Sequence, residues 1–494
     1  MFRSIVKPIL FAGVIAICFS TCKENLTGDL KPNLAPETHT IVDTIMRFGN
    51  DRFKTQISIL WWGEDPDGFV RSYEYSTDKQ NWFTTTKQDS LFLVNIPLGQ
   101  DTFDFAFYVR AIDNQGKKDP TAAYIVFPVK NSPPSVQFEY AVGNPKRKPD
   151  MSFPVLKFNW KGNDPDGDEN IAFYELYLND TNNNPVLIDA VFSSLILKAK
   201  GTSSPADCDV YQGNSLNLHE HPMEGLYLND TNQLIIRAVD IVGEKSPYVY
   251  SYKIYVRNPV STTLLVNAYS TSIAAREIFY TQNLDAIGVT SYDVTRLQEV
   301  NGDHFTELAP DNITQSMIFN LFETIIWFGK SIDFSMALAQ RTSNEFFENE
   351  GKMFMAVEIS SSISEQAGYL DFSPIDSLVG LPKGAIAFRL EKGSDVNPLQ
   401  AGWPQLKTDP NKFIASARPF YEDFTSVPLY DAVIMKSTSS GSEIWTGKST
   451  VMAKRENSLG KTTFIISSLE LHNLNGNGNF NALFTKLFID EFEL

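Results

Sequence analysis

The spacing of apolar residues changes twice along the chain. A continuous apolar run from Ile9 to Phe19 comes first, behind Arg3 and Lys7. The next two hundred or so residues favour a period of two, as in Leu156-Lys157-Phe158-Asn159-Trp160 and Tyr73-Glu74-Tyr75, which predicts half-buried strands. From Thr262 the apolar stretches are unbroken: Thr263 to Asn267, Thr324 to Phe328 and Lys352 to Val357. Strands buried on both faces, as in a parallel sheet, read this way. Ser335 to Gly351, with Met336, Leu338, Ala339, Phe346 and Phe347, predicts one helix with a serine start and a glycine stop. A late strand, Thr462 to Ser468, leads through Gly476 and Gly478 into a closing helix over about 480–492. Strand and helix alternating in this order imply an α/β domain with right-handed crossovers.

Within the alternating region two stretches repeat each other. Trp61-Trp62-Gly63-Glu64-Asp65-Pro66-Asp67-Gly68 is answered by Trp160-Lys161-Gly162-Asn163-Asp164-Pro165-Asp166-Gly167. Each unit later reaches R-A-x-D-x-x-G, at Arg110 to Gly116 and at Arg237 to Gly243. Two ordered motifs recurring together indicate a tandem duplication. In D-P-D-G, proline pre-sets the first central turn residue, the aspartates bond nearby backbone N–H groups, and glycine accepts positive φ. Tryptophan, D-P-D-G turn and R-A-x-D-x-x-G strand together make both units resemble fibronectin type III and related immunoglobulin-like modules of bacterial surface proteins. The resemblance implies β-sandwiches over 41–130 and 131–258, joined by the short stiff Asn131-Ser132-Pro133-Pro134. The second unit is longer between its motifs, and an insertion is expected at about 180–229, a polar region holding Cys208, His219 and His221.

The opening segment adds an address. Eleven apolar residues are too few to cross a bilayer of about 30 Å, so residues 1–21 read as a cleavable signal. Phe19-Ser20-Thr21-Cys22 resembles the lipobox of bacterial lipoproteins, with Phe19 where leucine is usual. That resemblance implies acylation of Cys22 and a lipid anchor in the outer membrane, on its periplasmic or its outer face. Residues 22–40 are polar, carry Pro32 and Pro36, and read as a tether. The formal charge of the 494-residue chain is −17, which argues against a nucleic-acid partner. Beyond Cys18 and Cys22 only Cys208 remains, so the mature chain forms no internal disulfide.

The strand order, the turn after Ile325-Ile326-Trp327-Phe328-Gly329 and the final strand–loop–helix make residues 261–494 resemble the class I glutamine amidotransferase-like fold. In that family a cysteine stands at a strand-to-helix elbow, with histidine and glutamate after a late strand. Here the elbow falls at Glu358 to Ser362, the domain has no cysteine, and Glu470 and His472 follow the last strand without the family's spacing. The resemblance therefore implies a non-catalytic member retained for its cleft. A serine hydrolase would use Ser360 or Ser361 with His472 and Glu470. Two metal sets are also open. Asp164, Asp166, Asp168 and Asp240 offer hard oxygens suited to calcium, against plain turn chemistry, and no other cofactor is called for. His219 and His221 could begin a zinc site, against two solvated loop histidines.

The expected protein is multidomain: two all-β immunoglobulin/fibronectin III-like sandwiches followed by an α/β (flavodoxin-like/amidotransferase-like) domain. Its expected function is that of a non-enzymatic, envelope-anchored lipoprotein binding a glycan, a peptide or an envelope partner protein. The alternatives are a serine-type hydrolase in the C-terminal domain or a structural component of an envelope assembly.

Overall fold

The computed structural model describes residues 31–46, 55–94, 97, 100, 102–140, 149–165, 167–214, 216–298 and 307–494. The signal, Cys22 and Asp166 lie outside the described residues. The chain forms two compact units, the first ending at Asn131 and the second running from Ser132 to Leu494.

In the first unit, β1 (Glu37–Met46), β2 (Thr55–Glu64) and β5 (Asp89–Val94) make a three-stranded sheet in the order β1-β2-β5. Facing it, β3 (Val70–Ser76), β4 (Phe83–Thr85), β6 (Thr102–Asp113) and β7 (Ala123–Lys130) pair as β4-β3-β6-β7. Alternate residues of β2 and β6 meet between the sheets: Ile57, Ile59 and Trp61 pack against Phe107, Val109 and Ala111. Trp61 fills the space between the sheets, 5.5 Å from the Phe107 ring and edge-on to Tyr73. This is an antiparallel β-sandwich. β1 begins at Glu37 and so takes in the end of the expected tether.

The second unit opens with the same plan. β8 (Ser135–Glu139), β9 (Val155–Asn163) and β12 (Ser194–Ala199) repeat the three-stranded sheet. β10 (Ile171–Leu178), β11 (Val186–Asp189), β16 (Leu234–Asp240) and β17 (Val249–Tyr250) repeat the four-stranded one as β11-β10-β16-β17. Trp160 is again buried, edge-on to Tyr174. The expected insertion is a sheet extension: β13 (Ala206–Gln212) pairs with β12, and β14 (Asn217–Leu218) and β15 (Met223–Leu226) pair with β13. Burial among apolar side chains pushes the free Cys208 thiol on β13 up to about 12.

The two D-P-D-G turns use glycine differently. Gly167 has φ +126°, as a turn glycine should. Gly68 does not occupy that region; there the side chains of Asn114 and Asp65 fill the space a Cβ would need.

The rest of the second unit is built on a nine-stranded sheet. Four parallel pairings join β18 (Thr263–Asn267), β19 (Asp293–Arg296), β20 (Thr324–Gly329), β21 (Lys352–Val357) and β26 (Thr462–Ser467), in the order β19-β18-β20-β21-β26. Beyond β26 the sheet turns antiparallel through β25 (Thr450–Glu456), β24 (Ser426–Ala432), β22 (Asp395–Pro398) and β23 (Leu406–Lys407). Unbroken apolar runs are required here because both faces are covered. On β20, Ile326 and Phe328 enter one core, with Tyr280 of α1 (Ile273–Ala286), Phe484 of α5 (Phe480–Phe484) and Phe488 of the π-helical turn that follows. Ile325 and Trp327 enter the other core, with Met317 and Ile318 of α2 (Asn312–Phe319) and Met336 and Ala339 of α3 (Ile332–Thr342). The single helix expected over Ser335 to Gly351 is two, α3 and α4 (Asn344–Glu348), broken at Ser343. Ser335 is not their cap: it lies within α3, buried, where its Oγ accepts from Trp327 Nε1 at 3.1 Å. No helix among the described residues is long and apolar enough to cross a membrane.

The second sandwich and the nine-stranded sheet share a core. Phe153, Val155 and Ile196 are buried with Leu264, Phe319 and Phe322, and Phe153 meets Phe322 edge-on at 5.0 Å. Lys157 of β9 is buried at the same junction, its ammonium 2.8 Å from Asn214 Oδ1 and 3.5 Å from Asp311, the N-cap of α2.

Candidate functional site

In a sheet ordered β19-β18-β20-β21-β26 the chain leaves β18 in one direction and returns to β20 on the other side. Crevices that bind ligands form beyond the carboxyl ends of strands at such reversals. Four of the five parallel strands here lead into polar residues: Asn267 at the end of β18 with Tyr269 after it, Lys330 after β20, Glu358 and Ser360 after β21, and Glu470 and His472 after β26.

The Tyr269 hydroxyl donates to Glu470 Oε1 at 2.7 Å, and the Asn473 amide donates to Glu470 Oε2 at 3.1 Å. Burial, then the Glu470 charge, raises the Tyr269 hydroxyl well above its usual range, so it stays a neutral donor. Asn267 orients this tyrosine: its Oδ1 accepts from Tyr269 N, and its amide donates to the Ile273 carbonyl at the start of α1. From α1, the Arg276 guanidinium lies 5.5 Å from the Tyr269 ring centre and makes no hydrogen bond or ion pair to any described residue. Glu358 likewise makes no hydrogen bond or ion pair through its carboxylate among the described residues. Its carboxyl is raised by partial burial and by the Glu470 charge, against the opposing pull of Lys330.

The serine–histidine arrangement needed for hydrolysis is not assembled. Ser360 Oγ pairs with Ser362 Oγ at 2.9 Å, and no hydrogen bond joins His472 to Ser360 or Ser361. The half-buried His472 ring sits edge-on to Phe279. Burial, with the charges of Arg276 and Lys412, pulls it down to about 3, so it is neutral at pH 7. No helix follows β21, so there is no strand-to-helix elbow; residues 358–374 are irregular. Arg418 secures that loop: it is 2% exposed, its Nε donates to the Val379 carbonyl, and its Nη1 donates to the carbonyls of Ser360 and Ile363. Beside it opens a cavity of about 630 Å³ lined by Ser361, Ser364, Glu365, Gln366 and Arg418.

Chain order points to Glu470 and His472, and the elbow position to Glu358, but the sequence does not single out Tyr269, Arg276 or Arg418. A polar tail on an apolar run, Asn267 to Tyr269, was the available signal for the first of these.

Of the aspartates considered for calcium, Asp168 and Asp240 serve the turns. Asp168 Oδ1 accepts from Asp164 N at 2.9 Å, and Asp240 Oδ1 accepts from Val242 N and Glu244 N. Asp113 does the same in the first sandwich, accepting from Gln115 N and Lys117 N. His219, half-buried, and His221, exposed, are neighbours with rings 5.8 Å apart; both His219 ring nitrogens face backbone carbonyls, of His221 and Leu187. No cluster of three metal-binding side chains occurs among the described residues.

No family model matches the chain, and no curated protein matches it. Among solved structures it is similar to a two-domain fibronectin type III segment of chicken tenascin, at 11% identity over 45% of this chain and 99% of that one, TM-score 0.22. It is also similar to fibronectin(III)-like modules of Clostridium thermocellum CbhA, at 12% identity over 44% and 95%, TM-score 0.16. The PKD1 domain of Vibrio anguillarum Epp matches at 13% identity over 20% and 98%, TM-score 0.15. All three are β-sandwich modules. TM-scores this low decide nothing by themselves, and the sandwich assignment rests on the sheets described above.

Proposed function

We propose that the chain is a non-enzymatic envelope lipoprotein, anchored through lipid on Cys22 in the outer membrane. In this reading residues 261–494 are an α/β domain of flavodoxin-like strand order, related to the amidotransferase-like fold, that binds a glycan, a peptide or a partner protein. The contrast among the side chains that follow the parallel strands carries the binding reading. The side chains of Arg276, Lys330 and Glu358 have no hydrogen bond or ion pair to a described residue, while Ser360 is engaged by Ser362 and His472 packs against Phe279. Charged side chains left free beyond the carboxyl ends of the strands suit recognition, whereas a serine hydrolase needs its nucleophile and base in contact.

The test uses the mature chain on glycan and peptide arrays, together with ester, amide and glutamine substrates. A bound ligand should lose at least tenfold in affinity in both Arg276→Ala and Glu358→Gln, with no turnover. Turnover that vanishes in both Ser360→Ala and His472→Ala would make the protein a serine hydrolase instead. Cys22→Ala should move the protein from membrane to soluble fractions; an unchanged distribution would reject the anchor.

A further inference from the structure

Beside the amino end of β26, with α4 and β25, lies a second cavity, of about 650 Å³, a size suited to a small ligand or a large side chain. Three rings form one wall: Phe347 of α4, Phe464 at the start of β26, and Phe372 from the loop after β21. Phe347 and Phe464 are stacked at 5.7 Å, and Phe372 contacts both, at 5.7 and 5.3 Å. Glu348 and Asp371 line it, both exposed, and neither carboxylate makes a hydrogen bond or ion pair to a described residue. The one cation lining the cavity, Arg455, is already neutralised. Its guanidinium donates to Asp423 at 2.6 Å and to the carbonyls of Phe372 and Ser373. Burial alone would raise the Asp423 carboxyl, but bonds from Arg455, Thr425 and Ser426 hold it at about 2.

We infer that this cavity binds an organic cation, a guanidinium or alkylammonium carried on an apolar stem. The stem would lie along Phe347 and Phe372, the two half-buried rings of the wall, Phe464 being buried against them, and the charge would meet Glu348 and Asp371. A purely apolar ligand would leave both carboxylates uncompensated at its edge, and an anion would be repelled by them. The net charge of −17 favours the same sign of ligand at long range. The site shares no residue with the crevice at the carboxyl ends of the strands, so either can fail without the other.

The experiment titrates the mature chain at low salt with acetyl-arginine amide and with acetyl-citrulline amide, which has nearly the same shape and no charge. The arginine probe should bind at least tenfold more tightly and weaken as salt is added. Asp371→Asn and Phe347→Ala should each cost about tenfold or more. Asp371 is exposed, so its variant keeps the fold and remains informative if Phe347→Ala does not. A second arm compares butylammonium with an arginine set in a glycine-flanked pentapeptide. Tighter binding of the peptide identifies a polypeptide as the source of the cation, and equal binding identifies a free amine; each supports the site. Equal affinity for arginine and citrulline, affinity unchanged in Asp371→Asn, or no binding at millimolar probe overturns the inference.

Discussion

Tyr269 and Glu470, 201 residues apart in the chain, are joined by a 2.7 Å hydrogen bond that ties the loop after β18 to the loop after β26. Tyr269 is 4% exposed, so the bond forms where water competes poorly. Tyr269→Phe should lower stability by about 1–3 kcal/mol, the usual cost of removing a buried bond to a charged group. A double-mutant cycle with Glu470→Gln, read from urea midpoints, should show coupling between the two. Strict additivity would mean that the pair contributes nothing jointly.

His472 sets a pH dependence. In the unfolded chain it titrates near 6.5, and in the fold at about 3. Between these values the unfolded chain binds more protons, so stability falls as the pH drops from about 6.5 towards 3. The limiting slope is about 1.4 kcal/mol per pH unit, and the contribution is complete above that window. Unfolding free energies measured between pH 7.5 and 4.5 should fall less steeply in His472→Gln than in the native chain. Equal slopes would remove His472 from the account.

The duplicated sandwiches carry the same charge triad. Glu74 of β3 pairs with Arg110 and Lys118, and Glu175 of β10 pairs with Arg237 and Lys245. Burial works against both carboxylates, but their cationic partners hold them below the usual range. Each therefore contributes stability that is present above the unfolded value near 4.5 and lost as the pH falls further. Glu175→Gln should cost about 1–3 kcal/mol at pH 7, because Arg237 and Lys245 lose the counter-charge and one of its two acceptor oxygens. Glu74→Gln should cost less, its triad being more exposed. Calorimetry would register the difference, and no loss in either variant would show the triads to be ornamental.

The aspartate turns are predicted to need no ion. Asp168 and Asp240 already accept backbone N–H bonds, so thermal melts in calcium and in chelator should coincide. A calcium-dependent rise of many degrees that Asp168→Ala abolishes would reverse this.

The sandwiches were legible because their signals are local: alternation in β9, a turn sequence, and a tryptophan between sheets. What escaped was decided by tertiary packing. Ser335 looks like a helix cap in sequence, yet the Trp327 indole claims its hydroxyl. The region around Cys208 looks like a loop because it is polar, yet it pairs edge-on with β12, and only the existing sheet makes that pairing available. At the candidate site, chain order sufficed for Glu470 and His472, both at the end of one strand. Arg276 and Glu358 enter from separate elements, and nothing within either segment announces the other.

The two modules look interchangeable in sequence, each followed by a short proline-marked connector, but they are not equally severable. A cut at residues 259–262 would put Phe153, Val155 and Ile196 into water on one fragment, and Phe319 and Phe322 on the other. It would also leave the ammonium of Lys157 without Asp311. Expressed alone, either fragment should aggregate. The shortest piece that carries the crevice and still behaves as a soluble protein begins near Ser132 rather than at residue 261.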